Sequence, residues 1–314
     1  MDILIPRGNR IRITCPYAEG ATFTLEVTPP DGPALQIRVR VVEVFEPFRM
    51  SSVMKVALEE IVSPPGATLA EFGLPVDAAL KVYDHRFAHF ARRSWNLKPF
   101  TREHRAEYLA YADRPHAART LAELLERGNG NGPEYLDPDD DNYLLREHYV
   151  ALTVASFFTS ECNAYERLSS FQGDVFPIFY GTTRFLDGEA APNLDLTKPG
   201  ILLQYIEGTV LDFVRREQVD IDLLARKCLD IIELYSQLGV LHFDVGIENF
   251  IVKPDGSGVV MIDFADSQLR KEGMSEHEWR KKKWAYDEEG EFGDCAASKW
   301  GWDFQHSYRW RVDD

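Results

Sequence analysis

The stretch LHFDVGIENFIVKPDGSGVVMIDFADS, residues 241–267, decides how this chain is read. Two apolar runs flank the turn KPDGSG and predict an antiparallel β-hairpin. Asp244 falls in the loop before the first strand, Asn249 where that strand begins, and Asp263 just beyond the apolar run of the second. Antiparallel strands of similar length bring Asn249 and Asp263 to one end of the hairpin, near Asp244. Hard oxygen ligands of this kind suit Mg2+, which commonly takes one or two carboxylates, keeps several waters and borrows the rest from substrate phosphates.

Outward from the hairpin, Leu224, Cys228, Ile231, Ile232, Tyr235 and Leu238 fall on one face of a helix expected from about Asp222 to Leu238, with Gly239 placed to end it. FPIFYGTTRF and GILLQYI read as strands separated by the polar GEAAPNLDLTKP, and a long helix is expected from about Tyr143 to Ser169. The first 65 or so residues alternate apolar and polar positions, as in ATFTLEV and LQIRVRVVEVF, and predict antiparallel strands. SVMKVALEEIV and AALKVYD add two more. From Phe87 to about Gly128 the pattern turns helical, with Leu121, Leu124 and Leu125 on one face. RGNGNGPEYLDPDDDN then has too little apolar content to build a core, so residues 127–142 are expected to be a mobile loop.

Of 314 residues, 45% are hydrophobic and 27% charged; 35 Lys and Arg against 51 Asp and Glu give a net charge of −16. Such an acidic chain repels nucleic acid and anionic membrane, so neither is an expected partner. Cys15, Cys162, Cys228 and Cys295 form no C-x-x-C pair and suggest a reducing compartment, cytoplasmic or nuclear. No stretch approaches bilayer-spanning length.

Several motifs have plainer readings. His85 and His89 form H-x-x-x-H, but Arg86 stands where a metalloprotease needs glutamate. Asp137, Asp139 and Asp141 imitate the start of a calcium loop, yet His148 takes the place of its final glutamate. The run Trp279-Arg280-Lys281-Lys282-Lys283-Trp284 reads as a helical face balanced by Asp287, Glu288 and Glu289.

His242-Phe243-Asp244-Val245-Gly246-Ile247-Glu248-Asn249 resembles the catalytic loop H-R-D-x-x-x-x-N of protein kinases, and Asp263-Phe264-Ala265 resembles their D-F-G. Ala79-Leu80-Lys81 is similar to the lysine strand V-A-I-K, Glu161 to the glutamate of the αC helix, and Leu203-Gln204-Tyr205-Ile206-Glu207-Gly208 to the hinge. These landmarks run in order over residues 79–265. ILLQYIEG, MIDFA and EWR-x-x-KW-x-x-DEEG further resemble the divergent fungal protein-kinase-like proteins.

The resemblance implies an α+β, bilobal protein-kinase-like fold: a β-rich N-lobe over residues 1–203, with a long insertion at 84–142 before the αC-like helix, and a truncated helical C-lobe over 204–314. It implies ATP and Mg2+ as cofactors. Asp244 would orient or accept the proton of an attacking hydroxyl, and Asn249 and Asp263 would hold the metal. Lys81, positioned by Glu161, would meet the α- and β-phosphates, while Leu203 and the backbone of Gln204 and Ile206 would take adenine. On the residues alone, Lys81 reads as an edge-strand lysine, and Glu147 and Glu166 rival Glu161 on the same helix.

Departures from the kinase pattern are equally specific. VFEPFRMSS, residues 44–52, holds no glycine where a phosphate-covering loop belongs. Phe243 replaces the arginine of H-R-D, Gly246 a common lysine, and Ala265 the glycine of D-F-G; no A-P-E follows. Two functions therefore stand: an ATP-dependent phosphotransferase acting on a protein or small-molecule hydroxyl, or a pseudokinase that binds nucleotide or partners without transfer. A metal-dependent phosphohydrolase built on Asp244 and Asp263 is a weaker third.

Overall fold

The computed structural model describes residues 12–113, 143–186 and 198–312. The expected mobile loop at 127–142, with Asp137, Asp139 and Asp141, lies outside them, as do Leu121, Leu124 and Leu125.

Strands β1 (Thr22–Thr28), β2 (Leu35–Val44), β3 (Ser52–Ser63), β4 (Asp77–Val82), β5 (Phe179–Phe185) and β6 (Pro199–Gln204) form a closed antiparallel barrel in the order β1-β2-β3-β4-β6-β5. Alternation explains which side each residue faces. Phe23, Leu25 and Val27 of β1, Ile37, Val39 and Val41 of β2, and Leu80 and Val82 of β4 fill the interior. Outside, Arg38 meets Glu60 and Arg40 meets Glu59 across β2 and β3, each at 2.8 Å.

This architecture corrects the bilobal kinase-like expectation. Pairing of Leu25 with Phe185 through Thr28 with Thr182 joins β1 to β5 and closes the sheet. Strand β6, expected to lead into a hinge, is a stave between β4 and β5. Nor is the C-terminal part helical alone. It holds two small sheets, β10-β9-β7 and β11-β8, formed by β7 (Thr209–Val210), β8 (Val240–His242), β9 (Phe250–Val252), β10 (Val259–Met261) and β11 (Ser267–Leu269). Closure has a local cause at Gly181, which sits in a register shift of β5 with φ 140°; a Cβ there would lie 2.2 Å from the Thr28 carbonyl oxygen. Only glycine lets the two backbones approach so closely.

Helices α1 (His89–Ser94) and α2 (Arg102–Ala112) fall within the helical stretch expected from Phe87 to about Gly128. Helix α3 (Tyr143–Arg167) packs against α1, α2, β5, β6 and β11. Helix α4 (Ile221–Gln237) starts at Asp220, whose carboxylate accepts from the Leu223 N–H at 3.0 Å, and its apolar face is buried as the spacing predicts. Helices α5 (Glu276–Tyr286) and α6 (Glu288–Trp300) follow, α5 opening on a Ser275–Glu278 capping box. A second apolar core runs from Val150 and Tyr165 on α3 through Ile231 on α4 to Phe264 and Phe292. Among the described residues, no helix is long and apolar enough to cross a membrane.

Candidate functional site

Strand β4 turns Leu80 and Val82 into the barrel, so Lys81 and Tyr83 face the other way, toward α3. Lys81 is buried, and its Nζ lies 2.8 Å from Glu161 Oε2 and 2.6 Å from Asp263 Oδ1. Neither rival glutamate reaches it: Glu147 pairs with Arg92, and Glu166 is exposed. Glu161 is fully enclosed. It also accepts from the Tyr83 hydroxyl and, at 3.1 Å, from the Phe264 N–H. Burial pushes the Glu161 carboxyl up to about 7, against the pull of Lys81. For Lys81, burial alone would lower the pKa, but Asp263 and Glu161 outweigh it and raise the ammonium above the ordinary lysine value.

Asp263 stands where β10 ends, at φ 64°, a left-handed conformation that aspartate tolerates better than most residues. Its side chain is 44% exposed. Burial of the group opposes ionisation, yet Lys81 holds its carboxyl below the ordinary range. One oxygen, Oδ1, is occupied by Lys81 and, at 3.3 Å, by the Ala265 N–H.

The hairpin forms as its sequence predicts. Met261 pairs with Phe250, and the Ile262 N–H donates to the Asn249 carbonyl at 2.8 Å, so Asn249 and Asp263 flank one end. Asn249 Nδ2 donates to the Asp244 carbonyl at 2.7 Å, which leaves Oδ1 as the acceptor of that amide. The Asp244 carboxylate is exposed. His242 joins the two ends of the site: Nε2 bonds the Asp263 carbonyl at 2.6 Å, and the Asp244 N–H donates to Nδ1 at 3.1 Å. That pairing needs the neutral ring protonated on Nε2, and burial lowers its pKa accordingly.

Residues to which the sequence assigns no role in the site complete the arrangement. Tyr83 is two residues beyond Lys81 on the same strand face, a signal that period-two counting could have used. Glu288, the first residue of α6, accepts from the His242 N–H at 2.7 Å and the Tyr235 hydroxyl at 2.9 Å, and pairs with buried Lys283. Burial pushes the Lys283 ammonium down to about 6, so the basic run contributes a buried amine beside Glu288 rather than a solvated charge. Burial and the nearby Asp244 and Asp263 raise Asp266 to about 6. Phe243, in place of arginine, packs edge-on against Tyr286 at 4.8 Å.

The loop without glycine is anchored rather than open. Phe48 is buried in the barrel core, and the Arg49 carbonyl accepts from the Phe90 N–H at 3.1 Å. The Arg49 guanidinium lies 3.7 Å from Glu248, beside Asn249. Leu203 is buried in β6. The Gln204 N–H is engaged by the Ile178 carbonyl at 2.8 Å, and Ile206 is half-buried beyond the strand.

Among the described residues, no three His, Cys, Asp or Glu side chains are grouped to hold a metal ion. The donors that fit Mg2+ here are one free Asp263 oxygen and Asn249 Oδ1. That set suits an ion completing its shell with phosphates and water.

No family model and no curated protein matches the chain. Among solved structures, it is similar to the PpkA-294 apo form, with a TM-score of 0.37 and 13% sequence identity over 81% of this chain. It spans 63% of the length of that chain. The likeness is a distant one.

Proposed function

We propose that this chain is an ATP-dependent phosphotransferase acting on a hydroxyl of a protein or small molecule. The observation that carries the reading is Lys81 Nζ held between Glu161 Oε2 and Asp263 Oδ1, at 2.8 and 2.6 Å, at the hairpin end that also bears Asp244 and Asn249.

In this reading Lys81, fixed by Glu161, meets the α- and β-phosphates of ATP. Asp263 and Asn249 would hold Mg2+, which would neutralise phosphate charge. Asp244, exposed and fixed through its backbone by His242 and Asn249, orients the acceptor hydroxyl. The acceptor oxygen bonds to the γ-phosphorus as the bond from that phosphorus to the β,γ-bridging oxygen breaks; ADP leaves with the electron pair, and the hydroxyl proton passes to Asp244. Catalysis of this kind is positioning plus electrostatics.

The anchored loop favours a second reading, a pseudokinase: Phe48 in the barrel core and the absence of glycine limit backbone approach to phosphate. Measuring ADP release and melting temperature with Mg-ATP decides between them. Phosphotransfer predicts turnover that disappears in Asp263→Asn. A stabilising shift without turnover in the native chain selects the pseudokinase, and turnover that persists in Asp263→Asn removes the assigned metal site.

A further inference from the structure

A second site lies on the far side of the segment that follows Lys81. Residues 86–100, with Arg12, Ile13 and Cys15 from the N-terminal part, enclose a cavity of about 460 Å³. This is within the size range of small-molecule pockets. Its charged lining is basic: Arg12, Arg86, Arg92 and Arg93 stand beside His89 and Asn96, with no acidic side chain among the described residues that line it. The remainder is largely apolar, including Phe87, Leu97 and Phe100. In a chain of net charge −16, such a concentration of arginine is the opposite of the average surface.

The four arginines are not equivalent. Arg86 is buried and forms a bidentate pair with Asp84, Nε to Oδ1 at 2.7 Å and Nη2 to Oδ2 at 2.5 Å. Arg92 is also buried and sends both terminal nitrogens to Glu147 at 2.5 and 2.9 Å. Its Nη2 also donates to the Lys98 carbonyl at 2.6 Å, while its buried Nε has no acceptor. Two of the charges are therefore compensated by carboxylates behind the wall. Arg12 and Arg93 are exposed at the cavity and have no such carboxylate pair among the described residues, which leave about two positive charges there uncompensated. A phosphomonoester supplies about two negative charges once its second proton leaves near pH 6, and planar guanidinium forks match its oxygens.

We propose that this cavity binds a small phosphomonoester with an apolar, ring-bearing body, the phosphate on Arg12 and Arg93 and the ring against Phe87, Leu97 and Phe100. The site is separate from Lys81 and Asp263 and does not depend on phosphotransfer. It is nevertheless tied to the same helix, because the Arg92 partner, Glu147, lies on α3 fourteen residues before Glu161. On its other side, His89 packs 6.2 Å from Phe48 in the anchored loop.

Calorimetric titration without nucleotide tests this, with phenyl phosphate, inorganic phosphate and phenol as probes. Cys15 lines the cavity, and because burial pushes its thiol up to about 11, the rate of its slow maleimide alkylation over hours, followed by peptide mass mapping, gives a local readout. The expected result is saturable phenyl phosphate binding at pH 8, with Cys15 protected. Inorganic phosphate and phenol should each bind at least roughly tenfold more weakly, and Arg12→Gln/Arg93→Gln should weaken phenyl phosphate by a similar factor. Both substituted residues are exposed, and an unchanged melting temperature would establish that the variant is folded. No saturable binding, undiminished binding in the variant, or an unprotected Cys15 overturns the proposal. Equal binding of inorganic phosphate overturns the apolar half of it.

Discussion

Helix α3 carries two buried glutamates about four turns apart, each held by a cation from the segment just before it in space, and the two ends are built differently. At the Glu147 end the partner is Arg92, a rigid fork that satisfies both carboxylate oxygens and ties the same guanidinium to the His85 and Lys98 carbonyls. At the Glu161 end the partner is Lys81, a single ammonium shared with half-exposed Asp263. Arginine at a bidentate site commits its geometry; lysine on a flexible stem can exchange one oxygen for another. The Glu147 end therefore has the character of a structural clasp, and the Glu161 end that of a site able to trade carboxylate contacts for phosphate ones.

The largest expected effect that sharpens this contrast is on turnover. Lys81→Met should lower Mg-ATP turnover by on the order of 10³-fold, roughly 4 kcal/mol of transition-state stabilisation. Its denaturant midpoint should move little, because Glu161, already up at about 7, takes up a proton and Asp263 faces solvent. Arg92→Met should do the reverse. Removing one partner of a buried pair costs about 3 kcal/mol, the low end of the range, because burial already raises the Glu147 pKa and eases its protonation. Equilibrium unfolding of both variants checks the pair. Equal destabilisation by the two substitutions would erase the distinction between clasp and site.

Much of this contrast was legible in the sequence at one end only. Asp244, Asn249 and Asp263 could be placed together because a short hairpin converts spacing into proximity with few alternatives. Lys81 and Glu161 were reached through motif order, not geometry, since nothing in a helical pattern tells a buried carboxylate from a solvated one. In the sequence, Glu147 is only a rival to Glu161 for Lys81. Its partner Arg92 lies in a segment whose pattern is helical but does not show where one helix stops, and the turn between α1 and α2 places the Lys98 carbonyl on the guanidinium. The barrel is not legible in the sequence for a related reason. Alternation identifies the buried face of each strand, but whether the first and fifth strands meet depends on one close approach, at Gly181, that carries no periodic signal.

The smallest expected effect is the most direct test of how Glu161 is held. In the unfolded chain this carboxyl titrates near 4.5, and in the fold near 7 because burial disfavours its charge. Between those values the folded state keeps a proton that the unfolded state has lost. Folded stability from this group is thus full below about 4.5 and falls as pH rises toward about 7. Asp263 has the opposite sign: its folded pKa is depressed, so its contribution is present above the unfolded value of 3.8 and is lost as pH falls through the folded one. The two windows do not overlap, which allows Glu161 to be isolated. Glu161→Gln removes only the upper titration, so the difference in unfolding free energy between the native chain and this variant should drift in the variant's favour from pH 4.5 to 7. The difference should be level on either side. A difference that is flat throughout would mean that Lys81 fully offsets the burial of Glu161 and holds it as a fixed charge, and the Glu161 end would then lack the freedom to exchange partners that sets it apart from the clasp at Glu147.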